Sequence, residues 1–475
     1  MWIRGLLFLF FCQMAGAVTY EVGPAQSLQQ IEQVPWAKLH AGDLVLIHGR
    51  AEPYRVKWLI SVRGTEDEPV IIRGVPGTNG ELPVISGENA ITAPGLDYWG
   101  GERSVIKIGV GSVPKNISPS YVTVENLEVR SARPGYPFIP RKGKKTYNKS
   151  AAPIWIEAGD HITIRNCIVH DGANGIFVSK GGKNILIERC NLFANGLEKS
   201  DQQHNVYTEA NGITFQFNHF EPLRPGARGN NLRDRSAGTV VRYNWIEGGN
   251  RELDLVDAED SAAIRADPKY GKTFVYGNII IEPNNPGDAG QQIVHYGGDS
   301  GHTNWYRKGI LYFYNNTVIS RRGGNTTLFR IQTGDEKVEA RNNIIYWTAP
   351  RKHLAIVDSV GEVEMQNNWF KKGWTKCHER LLGSVRSEKN LEGDAPGFVD
   401  LEKNNFQLAP GSPCIGAGGP LPSEILPEND LKSEYVAHQS GHERASASDL
   451  GALRSEASKE IKPRIGEAAG TEKKP

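Results

Sequence analysis

Residues 213–220 read ITFQFNHF: Ile213, Phe215 and Phe217 alternate with polar residues, and Asn218 ends the run. Alternation with a period of two is the mark of a strand with one face buried. The same design recurs along the chain as YVTVENLEV, ITIRNCIVHDG, ILIERCNLFANG, TVVRYNWIEGG, TFVYGNIII, LYFYNNTVI, VEARNNIIY and VEMQNNWF. Each run meets a polar or Cys position: Asn126, Cys167, Cys190, Asn218, Asn244, Asn278, Asn316, Asn343 and Asn368. By subtraction the gaps are 41, 23, 28, 26, 34, 38, 27 and 25 residues. A coil of about 25 residues with loops inserted into some turns gives this series, and a period in that range marks a solenoid.

Stacked coils pair every backbone group with the turn above and below, about 4.8 Å away. The expected fold is therefore all-β, a single-stranded parallel β-helix, with the asparagines in one interior corner as a hydrogen-bonded ladder. Cys167 and Cys190 fall on adjacent rungs, as stacked thiols or as a disulfide.

Composition agrees. The 475 residues carry 53 glycines, 27 prolines and a formal net charge of +1. A turn-rich β protein fits these values, and nothing in them favours nucleic acid as a partner. The first 17 residues read as a signal peptide cut before Val18: Arg4, an apolar run from Leu6 to Cys12, and an A-x-A ending at Ala17. The run is too short to span a bilayer, so no membrane span is expected after cleavage. Four cysteines then remain, Cys167, Cys190, Cys377 and Cys414, too few for a disulfide scaffold. Export into a bacterial periplasm or the exterior follows. The β-helix with its N-terminal cap is expected over residues 18–430, and residues 431–475 as a polar, disordered tail.

The ladder gives a register for the strand before it. Twelve residues upstream of the rungs lie Val178, Val206, Leu232, Ile331 and Ile356, all apolar and so inward. The next residues point outward: Ser179, Tyr207, Arg233, Gln332 and Val357. Pattern matching adds Leu253 and Val294 inward, Asp254 and His295 outward. The outer column then reads Tyr207, Arg233, Asp254, His295, with Glu209 and Arg235 two residues further on and Asn231 one residue before the inward Leu232. Tyr, Arg, Asp and His concentrated in the middle coils suit a working site better than a solvated wall. His204 falls inward by strict alternation, and Asp234 is expected to brace a turn or pair with an arginine. The acidic run Asp254, Asp257, Glu259 could hold calcium, which takes clustered carboxylates. Tyr296, Trp305, Tyr306, Tyr136 and Phe138 are aromatics suited to stacking on sugars.

The segments HAGDLVLIHGRAEPYRVKWLISVRGTEDEPVIIRG (40–74) and PGFVDLEKNNFQLAPGSPCIGAG…SDLGAL (396–453) resemble the opening and closing signatures of secreted bacterial right-handed parallel β-helix proteins. NNLRDRSAGTVVRYNWIEGGNRELDLVDAED (230–260) is similar to the central coil of the polysaccharide-degrading members. The resemblance implies a right-handed helix and a polysaccharide substrate, and the chain is expected to be a monomer. It also implies a lyase acting on uronate chains: Arg233 and Arg235 neutralise the carboxylate, and Tyr207, His295, His204 or an arginine of low pKa moves the proton. Such lyases usually have Lys where this chain has Arg233. A glycoside hydrolase, with Asp254 and Asp257 or Glu209 as its carboxyl pair, is the alternative, and a non-catalytic glycan-binding solenoid is a third. Phosphate-cradling, zinc-binding and serine-hydrolase motifs are absent from the sequence.

Overall fold

The structure, a computed structural model, describes residues 16–284, 292–349, 354–437, 439–444 and 448–455. The expected signal peptide lies outside them except for its last two residues.

Among these residues the chain winds into coils whose strands form two sheets, one of 23 strands and one of 11, parallel throughout except for the pair Pro137–Ile139 with Lys145–Thr146. One coil shows the plan. Strand Val206–Gln216 lies in the larger sheet, the chain turns at Asn218, and His219–Phe220 enters the smaller sheet before the chain returns to Leu232–Asp234. Val206, Ile213 and Phe215 are buried inside the coil with their counterparts above and below. The core is thus a single apolar cylinder running along the axis.

The ladder forms. Asn218, Asn244, Asn278, Asn316, Asn343 and Asn368 are fully buried, and each backbone N–H donates to the side-chain oxygen of the next rung at 2.8–3.1 Å. Asn390 closes the series, a rung the repeat pattern did not include. Cys167 and Cys190 occupy rungs as free, buried thiols. Asn126 does not. It bonds Asn166 at 2.7 Å, one position before the rung, and the buried residue in the corner is Leu127. The reason lies in the backbone. Asn126, Asn166, Arg189, Phe217, Tyr243, Asn315, Asn342 and Asn367 all have φ between 48° and 58°, forming a column of left-handed residues that turns the chain into each rung. Asn tolerates this conformation well, so an Asn can mark the turn as easily as the rung.

The boundary expected at residue 430 is also displaced. The segment after it forms an antiparallel pair, Ser433–Val436 with Ser440–Glu443, and packs back on the helix. Leu431 seals a stack of Phe217, Tyr243, Tyr276 and Tyr314, and Tyr435 and Phe406 cover Trp245. Packed structure continues to Ser455, whose neighbours Leu450 and Ala452 are buried. The stack's outward aromatic faces need a cover, and the C-terminal chain supplies it. No helix among the described residues is long and apolar enough to cross a membrane.

Candidate functional site

Strand pairing places Tyr207 beside Arg233, Arg233 beside Asp254 and Asp254 beside His295, so the outer column exists in the expected order. Its flanks differ. Tyr207 pairs with Phe177 rather than Ser179, and His295 with Arg330 rather than Gln332. A register shift between Val178 and Gly182 breaks the constant offset of twelve residues on the first side. The column therefore continues through Phe177, Trp155 and Lys107.

Around its middle lies a polar cleft of about 420 Å³. Tyr207, Arg233, Arg235, Arg251, His204 and Asp299 line it. Asp299 accepts from Arg233 Nη2 at 2.6 Å through one oxygen and from Arg235 Nη2 at 3.1 Å through the other. Arg233, on the strand Leu232–Asp234, and Arg235, just past its end, thus grip one carboxylate through both of its oxygens.

Beneath them Asp254 is fully buried. It takes hydrogen bonds from Arg233, from Asn230 Nδ2 at 2.6 Å, and from His295 Nδ1 at 2.7 Å. Burial opposes its ionisation, but Arg233 and His295 outweigh burial and hold the carboxyl well below the usual range. Burial likewise works against the Arg233 cation, yet Asp254 and Asp299 raise its pKa above the ordinary value. Arg233 is therefore a permanent cation and no base, and it is not an open side chain on a solvated wall: 13% of it is exposed. Arg251 differs, since burial lowers its pKa with only partial compensation from Asp254.

Two histidines differ by tautomer. His204 is buried and its Nδ1 accepts from Asn230 N–H at 2.9 Å, so the neutral ring carries its proton on Nε2. Burial, then Arg233, push its pKa down to about 3. His295 donates from Nδ1 to the ionised Asp254, which leaves the lone pair of the neutral ring on Nε2. That atom is buried and has no hydrogen-bond partner. Tyr207 stacks on Phe177 at 4.7 Å, and burial raises its pKa against the opposing pull of Arg235 and Arg233. Glu209 is buried, and burial with the nearby Asp260 pushes its carboxyl up to about 7.

Several expectations fail here. Asp254, Asp257 and Glu259 make no cation cradle. Asp254 faces Arg233, while Arg235 lies 3.7 Å from Asp257 and 3.2 Å from Glu259. The negative charge of these carboxylates is thus met by arginines in this structure. Among the described residues no cluster of His, Cys, Asp and Glu could hold a metal. Asn231 is a rung of a second ladder, accepting from Asn205 at 2.8 Å and donating to the Glu247 carbonyl at 2.8 Å. Tyr296 points into the core, as alternation from His295 requires. Tyr306 and Phe138 are buried, Tyr136 bonds Asp171 at 2.6 Å, and Trp305 lies under the Arg265 guanidinium at 4.4 Å. Neither Trp305 nor Tyr306 lines the cleft. Asp234 does pair with an arginine, Arg307, at 2.9 Å with both side chains fully buried. Sequence reasoning missed Asp299 and Arg251. Both stand in loops beside strands whose outward positions were read, where alternation gives no register.

Residues 118–285 match the family model described as right handed beta helix region. The fold is a right-handed parallel β-helix. Among solved structures, the β-helix is similar to pectate lyase Pel9A at 12% identity, with a TM-score of 0.51 over 93% of this chain and 98% of that one. It is also similar to a rhamnogalacturonan lyase at 13% identity, with a TM-score of 0.50 over 82% of this chain and 92% of that one. Likeness at this identity speaks for the fold alone. A comparison with curated proteins gives no match.

Proposed function

We propose that this β-helix is an exported polysaccharide lyase that cleaves uronate-containing chains by β-elimination in the arginine-lined cleft. One observation carries the reading: Arg233 and Arg235 together hold the Asp299 carboxylate through both oxygens. A pair built to hold a carboxylate suits the C6 carboxylate of a uronate, whose charge grows as the C5 proton leaves. Substrate binding then displaces Asp299 from the pair.

Proton transfer falls to the remaining column members. His295, oriented by Asp254, keeps an unpartnered Nε2 lone pair and takes the C5 proton once the loop carrying Asp299 has moved aside. Tyr207, kept protonated by burial, donates to the leaving C4 oxygen. His204 supplies its Nε2–H as a fixed hydrogen-bond donor. The similarity to two lyases in fold is consistent with this chemistry.

A hydrolase reading has one supporting feature, the Glu209 carboxyl raised to about 7, which suits a general acid. Its partner fails, since Asp254 is buried beneath Arg233 and bound on both oxygens.

The test is product chemistry. Purified protein is incubated with polygalacturonate, alginate and a neutral glucan. Near-ultraviolet absorbance from uronate chains alone supports elimination, and its loss in Tyr207→Phe and His295→Gln supports the roles. Reducing ends without absorbance refute elimination.

A further inference from the structure

A second cleft of about 420 Å³ lies further along the same column, toward the N-terminus. Trp99 stands at its edge and is half exposed. The ring is fixed in place: Nε1 donates to Glu157 Oε1 at 2.6 Å, and the Lys107 ammonium sits 4.2 Å from its centroid. An exposed indole held by two buried or half-buried partners loses little freedom when it meets a flat ligand. Arg141, Lys142 and Lys145 line the same cleft. Arg141 pairs with Asp97 at 3.3 Å, whereas Lys142 and Lys145 have no ion-pair partner among the described residues.

Between the two clefts the sheet is continuous, with Lys107 and Trp155 buried and Phe177 and Tyr207 partly exposed. Lys107, Trp155, Phe177, Tyr207 and Arg233 are paired in that order, one per coil. The Arg103 guanidinium lies 4.6 Å from the Trp155 ring and 4.9 Å from that of Phe177, so positive charge persists along the row. Four steps at a coil spacing of about 4.8 Å separate Lys107 from Arg233, roughly 19 Å. A pyranose repeat is comparable in length to one coil.

We propose that the Trp99 cleft is a second carbohydrate subsite, in which the indole stacks on a sugar ring and Lys142 and Lys145 meet its carboxylate, about four units from the sugar held by Arg233. This rests on the reading of the arginine cleft as a uronate site. A chain laid along the column spans both clefts at once, and binding of long chains gains from the second without a new contact at the first.

The experiment measures affinity, with no turnover required. Oligogalacturonates and oligomannuronates of about two and about eight units, and a neutral glucan oligomer of the longer length, are titrated calorimetrically against wild type, Trp99→Ala and the double variant Lys142→Glu/Lys145→Glu. Wild type should bind one long uronate at least about tenfold more tightly than its short form, with the advantage shrinking as salt is added. Both variants should lose most of that advantage. The lysines are exposed, so their reversal leaves folding intact even if Trp99→Ala perturbs its loop. Equal affinity for long and short chains, an advantage that survives both variants, an equal advantage for the neutral oligomer, or no uronate binding at all overturns the subsite. Length-dependent uronate binding without unsaturated product leaves the subsite standing and refutes the elimination reading instead.

Discussion

Removing Arg233 separates catalysis from folding, because the structure makes both depend on it by different amounts. In Arg233→Ala the Asp299 carboxylate keeps only Arg235, and Asp254, fully buried, loses its nearest cation. Breaking a buried pair by removing one partner costs about 3 to 5 kcal/mol. Asp254 retains His295, Asn230 and Arg251, so the low end applies, about 3 kcal/mol. At about 2.1 cal/mol/K per residue, some four hundred folded residues give an unfolding entropy near 0.9 kcal/mol/K, so the melting temperature falls by only about 3 °C. Turnover should fall far more, by about two to three orders of magnitude, as when an oxyanion donor is lost. Arg233→Lys keeps the charge but cannot reach Asp254 and Asp299 together, and should recover part of the activity. The assay pairs initial rates of unsaturated product at 25 °C with melting followed by circular dichroism. Wild-type activity, or an activity loss that follows the melting curve, removes Arg233 from the site.

Three further outcomes follow from the same geometry. Asn278→Leu removes the acceptor for both the backbone N–H and the side-chain Nδ2 of Asn244, each at 3.0 Å, and takes a donor from the Val241 carbonyl. Urea titration should show about 2 to 4 kcal/mol of lost stability, and a change below about 1 kcal/mol would sink the ladder argument. Glu209, raised to about 7 in the folded state, holds its proton more tightly there than in the unfolded chain, where its pKa is about 4.3. Stability from this group is therefore full below that value and is lost as pH rises to about 7; Glu209→Gln should flatten the loss, and an unchanged pH dependence contradicts the assignment. Asp299→Asn removes the carboxylate that competes for Arg233 and Arg235, so KM for uronate chains should fall several-fold; a rise in KM would mean that Asp299 helps hold substrate.

The solenoid was legible because its information is repeated. Alternation recurs at every coil and an Asn rung at each from Asn218 onward, so one ambiguous turn, such as Asn126, does little harm. The central column was legible for the same reason, since Val206, Leu232, Leu253 and Val294 fix which neighbour points outward. What alternation cannot give is the partner of an outward side chain. Asp254 and Asp257 read as metal ligands because carboxylates cluster in the sequence, yet arginines from the preceding strand reach them first. Asn231 and Tyr296 show the complementary error: Tyr296 adjoins His295 and faces in by parity, whereas Asn231 shares the parity of Arg233 but precedes the strand Leu232–Asp234, in a turn where alternation does not hold. Asp299, Arg251 and Trp99 come from loops whose positions depend on how each insertion folds over the coils, and no repeat constrains them.

The C-terminal cover changes what kind of object this solenoid is. Stacked coils ordinarily come apart from an end, one neighbour at a time. Here Tyr243 Oη donates to the Asp430 carbonyl at 3.3 Å and accepts from Lys432 N–H at 2.9 Å, and Ala452 N–H donates to Thr317 at 3.0 Å, contacts spanning between 135 and 189 residues of sequence. The last segment is a strap buckled onto the middle of the stack. Peeling the final coils under load must first undo that buckle, and a nascent chain completes the middle coils only after its end has been made.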